Sequence, residues 1–313
     1  METLVTLVNN NTPTSDPPIA RPLALAKEGS IRFENAHFGY HPDRPIFKEL
    51  SFEIPAGKRV FVVGPSGCGK STIFRLLFRF YHPSSGHITI YGQDISAVTP
   101  QSLRKSIGAV PQDTSLSHSI VLHNIRYGRL SATNEEVVEV AKKANVHGST
   151  MELQRGMRFR LERVSGGEKQ RLAVTRVLLK DPEFMFFDEA TSALDAHTES
   201  ELLKSIHSML LSPSHGKPRA NVFTAHRLHI VIEADLIIAL KDGQLVEQGT
   251  HEELLALDGL YKSMWVQQSS YGSEVGVGSS SASEEDETGS EGKGEEGKVN
   301  VKELEVVSEK VKA

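Results

Sequence analysis

The chain has a single cysteine, Cys68, and a single tryptophan in 313 residues. One thiol closes no internal disulfide, which argues for a reducing compartment. Long apolar runs are missing too. The longest, such as Leu236–Leu240, has the length of a strand and falls far short of the roughly 18 residues that a membrane-crossing helix needs. These residues are therefore not expected to insert directly into a bilayer. Residues 1–26 hold no apolar core of a secretory signal, and one arginine against two acids does not make a mitochondrial presequence. The net charge of −5 is lopsided. Residues 269–313 carry 11 acids against 5 bases, leaving 30 bases and 29 acids elsewhere. A body so near neutrality argues against nucleic acid as a partner.

What is present has a clear order. Residues 1–29 are polar and proline-rich and read as a linker or arm. Ile31–Phe38 and Phe47–Ile54 alternate as strands, and Arg59–Val63 is a short apolar strand. A helix is expected from about Ser71 to Phe80 and a strand over His87–Tyr91. The segment from about Pro100 to Lys180 reads as mostly helical. Capping boxes begin at Thr133, Ser165 and Thr250, each followed three residues later by Glu. Strands are expected at Phe184–Phe187 and Asn221–Ala225, with a helix over Thr198–Leu211 between them. A hairpin is expected around Asp242-Gly243. Such alternation predicts an α/β fold with a helical insertion. Residues 269–313, rich in Ser, Gly and Glu, are expected to be disordered, with a possible short charged helix over Val299–Lys312.

Three places carry chemistry. Gly64-Pro65-Ser66-Gly67-Cys68-Gly69-Lys70-Ser71 fits the pattern G-x-x-x-x-G-K-[ST] between a strand and a helix. Its glycines let backbone N–H groups close on phosphate oxygens, and the following helix, with Thr72 in its first turn, presents its positive end. Lys70 would neutralise the β- and γ-phosphates and Ser71 would ligate Mg²⁺. Cys68 in this loop is either a redox-responsive thiol near a helix N-terminus or a small residue at a permissive position. The strand Phe184–Phe187 runs into Asp188 and Glu189. These could be two exposed acids. Beside a phosphate loop, they read as a Mg²⁺-ordering carboxylate and a general base. Ser165, Gly166, Gly167 and Glu168 open a helix with free N–H groups, a hydroxyl and little side-chain bulk. Alone this is a helix cap; in company it is a second anion contact.

Together these residues resemble the ATP-binding cassette (ABC) family over about residues 30–268. Gly64–Ser71 resembles its Walker A motif. Val164 to Gln170 resembles its signature, and Phe184–Asp188 with Glu189 its Walker B and catalytic glutamate. Ser192-Ala193-Leu194-Asp195 is similar to the D-loop. Gln112 resembles the Q-loop glutamine that senses Mg²⁺, His226 the switch histidine, and Tyr40 the aromatic that stacks on adenine. The stretches Ile31–Asn35, His41–Ile46, Leu76–Tyr81 and Asn124–Leu130 are similar to one branch, the mitochondrial half-transporters that export a sulfur, iron–sulfur or glutathione-linked compound. One departure stands out: Gly148 to Val164 is a few residues shorter than the family pattern and shows Leu161-Glu162-Arg163 where the family has Gly-Glu-Arg-Gly.

The resemblance implies a P-loop NTPase cassette with a RecA-like core, an antiparallel β subdomain and an α-helical signature subdomain. It implies ATP and Mg²⁺ as ligands and a head-to-tail homodimer. Ser165 and Gly167 of one copy would face the nucleotide on Lys70 of the other. It further implies a transmembrane domain, which these residues do not contain, and a place on the matrix side of the mitochondrial inner membrane. Met1–Leu4 resembles the linker after the last membrane helix. Two alternatives remain open at this level: a fragment that binds ATP without coupled transport, and a soluble ABC ATPase outside transport.

Overall fold

A computed structural model of the protein describes residues 20–24, 29–112, 116, 120–144, 165–190, 198–200, 202–204, 206, 220–225 and 227–274. The chain divides into two compact units, Met1–Gly272 and Ser273–Ala313. The account below concerns the first; of the second, only Ser273 and Glu274 are described.

Two sheets build the first unit. Strands β1 (Ile31–Phe38), β2 (Phe47–Ile54), β4 (Ser85–Ile90) and β5 (Gln93–Asp94) form an antiparallel sheet in the order β2–β1–β4–β5. Strands β3 (Arg59–Val63), β6 (Ile107–Val110), β7 (Phe184–Asp188), β8 (Ala220–Thr224), β9 (Leu236–Lys241) and β10 (Gln244–Gly249) form the second, in the order β10–β9–β3–β8–β7–β6. All its pairs are parallel except β9 with β10. That hairpin turns through Asp242 and Gly243, both at positive φ, as the right-handed strand twist favours.

The parallel strands read as unbroken apolar runs because each faces a core on both sides. Side chains alternate between the two. Val60, Val62, Phe184, Phe186, Val222, Ile238 and Leu240 pack on one side with the antiparallel sheet and with Ile73, Leu76 and Leu77 of helix α1 (Lys70–Leu77). Phe61, Val63, Met185, Phe187, Phe223, Ile237 and Ala239 pack on the other. There Phe61, Phe223 and Phe187 stack in a row, with centroids 4.8 and 4.5 Å apart. This second core is closed by helices α3 (Val121–Arg126), α4 (Asn134–Lys143) and α5 (Gly166–Lys180). Helix α2 (Pro100–Ser106) leads directly into β6.

The three expected capping boxes are present at Thr133, Ser165 and Thr250, opening α4, α5 and α6 (His251–Ala256). Other expectations need correction. The segment 100–180, expected to be mostly helical, also holds a strand: Ile107–Val110 forms the edge strand β6 beside β7. Gly108 makes this possible: a Cβ there would come within 2.7 Å of Val177 and closer still to Pro182. The arm is not wholly a linker either. Arg21 bridges Val98, Leu23 N–H donates to Ser102 Oγ at 2.9 Å, and the Leu23 side chain is buried in the first core. Helix α7 (Leu260–Glu274) runs past residue 269, where the tail was expected to begin. Glu247 of β10 accepts from the Leu260 and Tyr261 N–H groups and so caps α7. The expected helix over Thr198–Leu211 lies only partly within the described residues, and Val299–Lys312 lies outside them.

Helix α7 is also tied to α6 by a titratable contact. The Tyr261 hydroxyl and His251 Nδ1 share a hydrogen bond of 2.7 Å. Burial holds the His251 pKa below its ordinary value, against the opposing charge of Glu252. A histidine whose folded pKa is depressed contributes stability above its unfolded pKa of about 6.5 and loses it as pH falls through the folded value. The melting temperature is therefore expected to fall between about pH 7 and 5, and the fall should be shallower in His251→Asn. Equal slopes in a pH series of thermal melts would rule this out.

Candidate functional site

The C-terminal edge of the parallel sheet gathers the candidate residues. Strand β3 ends at Val63 and enters the loop Gly64–Gly69. Gly64, Gly67 and Gly69 have φ of 151°, 80° and 104°, values that side chains resist. Space is short as well. A Cβ on Gly64 would come within 2.2 Å of the Leu240 carbonyl oxygen, and one on Gly69 within 2.4 Å of the Phe47 ring. The loop tip, Pro65, Ser66 and Gly67, is exposed, whereas Cys68 and Gly69 are buried. Helix α1 opens with Gly69 as cap, no side-chain cap bond and no acid in its first turn. Its leading N–H groups and dipole therefore suit an anion.

Lys70 is only 5 % exposed. Its ammonium donates to the carbonyls of Gly64 at 2.8 Å and Pro65 at 3.1 Å, so it lies under the loop it is meant to serve. The Cys68 sulfur is 4.0 Å from the same ammonium. Burial nevertheless pushes the Cys68 thiol pKa up, outweighing Lys70. This supports the small-residue reading of Cys68 over the redox one.

Three strand ends meet beside the loop. The Ser71 hydroxyl donates to Asp188 Oδ1 at 3.2 Å, and the Thr224 hydroxyl donates to the same oxygen at 2.8 Å. Thr224 Oγ1 in turn accepts from the Glu189 N–H at 2.9 Å. Glu189 sits at φ 49°, turning sharply out of β7. In sequence, Thr224 is only one position of the strand expected at Asn221–Ala225. The parallel register that sets Asp188 level with Thr224 makes it the link between both acids. Val110 is level with Phe187, so Gln112 leaves the sheet at this same edge, exposed. His226 and Asp195 lie outside the described residues. Ser71 and Asp188 are hard oxygen donors of the kind Mg²⁺ takes, and an octahedral ion that keeps waters and phosphate oxygens needs few protein ligands. The residues present fit that ion.

Tyr40 follows β1 and is 44 % exposed. Its ring stands edge-on to Phe38 and Tyr81, with centroids 5.0 and 5.1 Å away. At the start of α5, Ser165 and Glu168 close on each other. Ser165 N–H and O–H both donate to Glu168 Oε2 at 2.8 Å, and Ser165 Oγ accepts from Glu168 N–H. Ser165 and Gly166 are exposed and Gly167 half-buried. The approach, residues 148–164, lies outside the described residues.

A second feature escaped sequence reasoning. Glu199 is 1 % exposed, and its Oε2 accepts from Arg227 at 3.2 Å and pairs with His229 at 3.1 Å. It joins the segment after Asp195 to the one after His226. Arg227 and His229 are themselves largely open to solvent, so removing the acid strands nothing in a dry place. Removing Arg227 takes a fixed positive charge from a carboxylate that stays buried beside His229. Arg227→Met is expected to cost about 2 kcal/mol and Glu199→Gln less than half of that. Chemical denaturation of both variants checks the order.

Comparison with known proteins agrees with this geometry. The model of the ABC transporter family matches residues 47–192. The mitochondrial iron–sulfur clusters transporter atm1 of Neurospora crassa is 53% identical over 270 residues, which are 85% of this chain and 38% of that protein. The mitochondrial iron–sulfur clusters transporter ABCB7 of Oryzias latipes is 44% identical, over 86% of this chain and 36% of that one. A solved bacterial Atm1-family ABC exporter with ATP bound superposes with a TM-score of 0.81 at 43% identity, over 86% of this chain and 47% of that chain. The chain thus spans less than half the length of the relatives it matches. No helix among the described residues is long and apolar enough to cross a membrane. What it shares with them is the cassette: residues 47–192 carry the ATP-binding domain of the ABC transporter family.

Proposed function

We propose that the chain binds and hydrolyses Mg-ATP as one of two cassettes paired head to tail. It would thereby drive export of a sulfur, iron–sulfur or glutathione-type compound across the mitochondrial inner membrane from the matrix side. The observation that carries this reading is the hydrogen-bonded set of Ser71, Asp188, Thr224 and Glu189 beside the Lys70 loop. The names of its relatives support the transported class, which a transmembrane domain would select.

Lys70 exchanges two loop carbonyls for phosphate oxygens, keeping its ammonium paired throughout. The loop N–H groups and the start of α1 take the remaining phosphate charge. Ser71 and Asp188 would hold Mg²⁺, with Gln112 arriving from the neighbouring strand end. When bound, that ion neutralises charge on the phosphates and orders them. Glu189 takes the proton from an attacking water, and Thr224 fixes its backbone. His226 holds the γ-phosphate, and Tyr40 stacks on the base. Ser165, Gly166, Gly167 and Glu168 complete the site on the partner copy, with the D-loop residue Asp195 alongside. Closing needs ATP because only ATP offers contacts to both copies. Opening follows when the γ-phosphate leaves. The work is positioning and electrostatics rather than covalent chemistry.

The test is steady-state phosphate release from Mg-ATP by the purified chain. Release above a Glu189→Gln control supports the reading; equal rates overturn it.

A further inference from the structure

The Tyr40 hydroxyl does not point idly into solvent. Arg75 Nη1 donates to it at 2.9 Å, and it lies 3.2 Å from Thr72 Oγ1. Only the first bond has a fixed direction: a guanidinium can only donate, so the phenol oxygen is the acceptor there, whereas between the Tyr40 and Thr72 hydroxyls either can donate. The three groups form a hydrogen-bonded relay from Arg75 through Tyr40 to Thr72.

Arg75 also touches the ring itself: its guanidinium carbon lies 5.5 Å from the Tyr40 centroid in a cation–π contact. Phe38 and Tyr81 meet the ring at 83° and 86°, so they hold it upright without stacking on it. The ring is thus fixed by its edges and tip. Thr72 belongs to the same helical turn as Lys70 and Ser71. The tether therefore sets the span between the base platform and the phosphate loop.

We infer that Arg75 is a positioning residue for the nucleotide. Through Tyr40 and Thr72 it fixes the base-stacking ring relative to the phosphate-binding turn. This rests on the nucleotide reading of the site. An exposed side chain of this kind changes affinity by a modest factor, so the readout must separate base from phosphate.

The probes are a fluorescent ATP analogue and, as its competitor, inorganic tripolyphosphate, which lacks the base. Arg75→Met and Tyr40→Phe are each expected to weaken ATP about fivefold. Tripolyphosphate should stay within about twofold of the wild type. The double variant should bind ATP no worse than either single one, because each already cuts the relay. Arg75→Lys, which keeps a donor, should recover part of the loss. An Arg75→Met chain that binds ATP like wild type overturns the inference. So does equal weakening of ATP and tripolyphosphate, which would mean loss of charge or fold rather than of a tether. A wild-type chain that binds neither probe overturns the nucleotide reading itself, and this inference with it.

Discussion

A Glu189→Gln chain is expected to shift from monomer to dimer on addition of Mg-ATP while its phosphate release falls by about 10²–10⁴-fold. The substitution keeps the size of the side chain and the backbone bond to Thr224, so the turn out of β7 should survive. It removes the carboxylate proposed to take a proton from water. ATP then persists, and with it the contacts that hold two copies together. Light scattering with and without Mg-ATP reads the mass, and a coupled phosphate assay reads the rate. A dimer means that Ser165 reaches across to the partner despite the short segment before it. A chain that binds ATP yet stays monomeric would instead support nucleotide binding without coupled turnover.

The second large effect is expected at Lys70. Lys70→Ala should weaken Mg-ATP by at least about 100-fold, since a charge-assisted bond of this type contributes roughly 1.5–3 kcal/mol and two phosphates share this one. Loss of the Gly64 and Pro65 contacts should also cost about 1 kcal/mol in the absence of nucleotide. Two measurements separate these effects. Thermal melting without ligand should drop slightly, and the rise in melting temperature that saturating Mg-ATP gives the wild type should vanish. A variant that still gains several degrees with ATP would show that the loop N–H groups and the helix start suffice.

Much of this site was legible because it is local. The glycine loop, the acids ending β7 and the capping box at Ser165 each fit within eight residues, and the alternation of β1 and β2 fixed their ends. What escaped was non-local or unpunctuated. Ile107 ends α2 and begins β6 with no turn residue between them. Thr224 gains its role only through a register with a strand 36 residues away. Arg75 meets Tyr40 across 35 residues and looks, in sequence, like any charge on the outer face of a helix. Glu199 gains its role only through Arg227 and His229, 28 and 30 residues away.

The alternation along β7 and β8 has a mechanical side. Phe186 and Val222 belong to the layer with the antiparallel sheet, while Phe187 and Phe223 belong to the helical layer. A single thickness of backbone is all that separates them. If the helical layer swings against the other, the shear falls on these strands, and their free ends are where Asp188 and Thr224 share a proton bridge. A hinge anywhere in the helical layer would therefore be felt first as a change of angle between those two side chains, well before either core loosened.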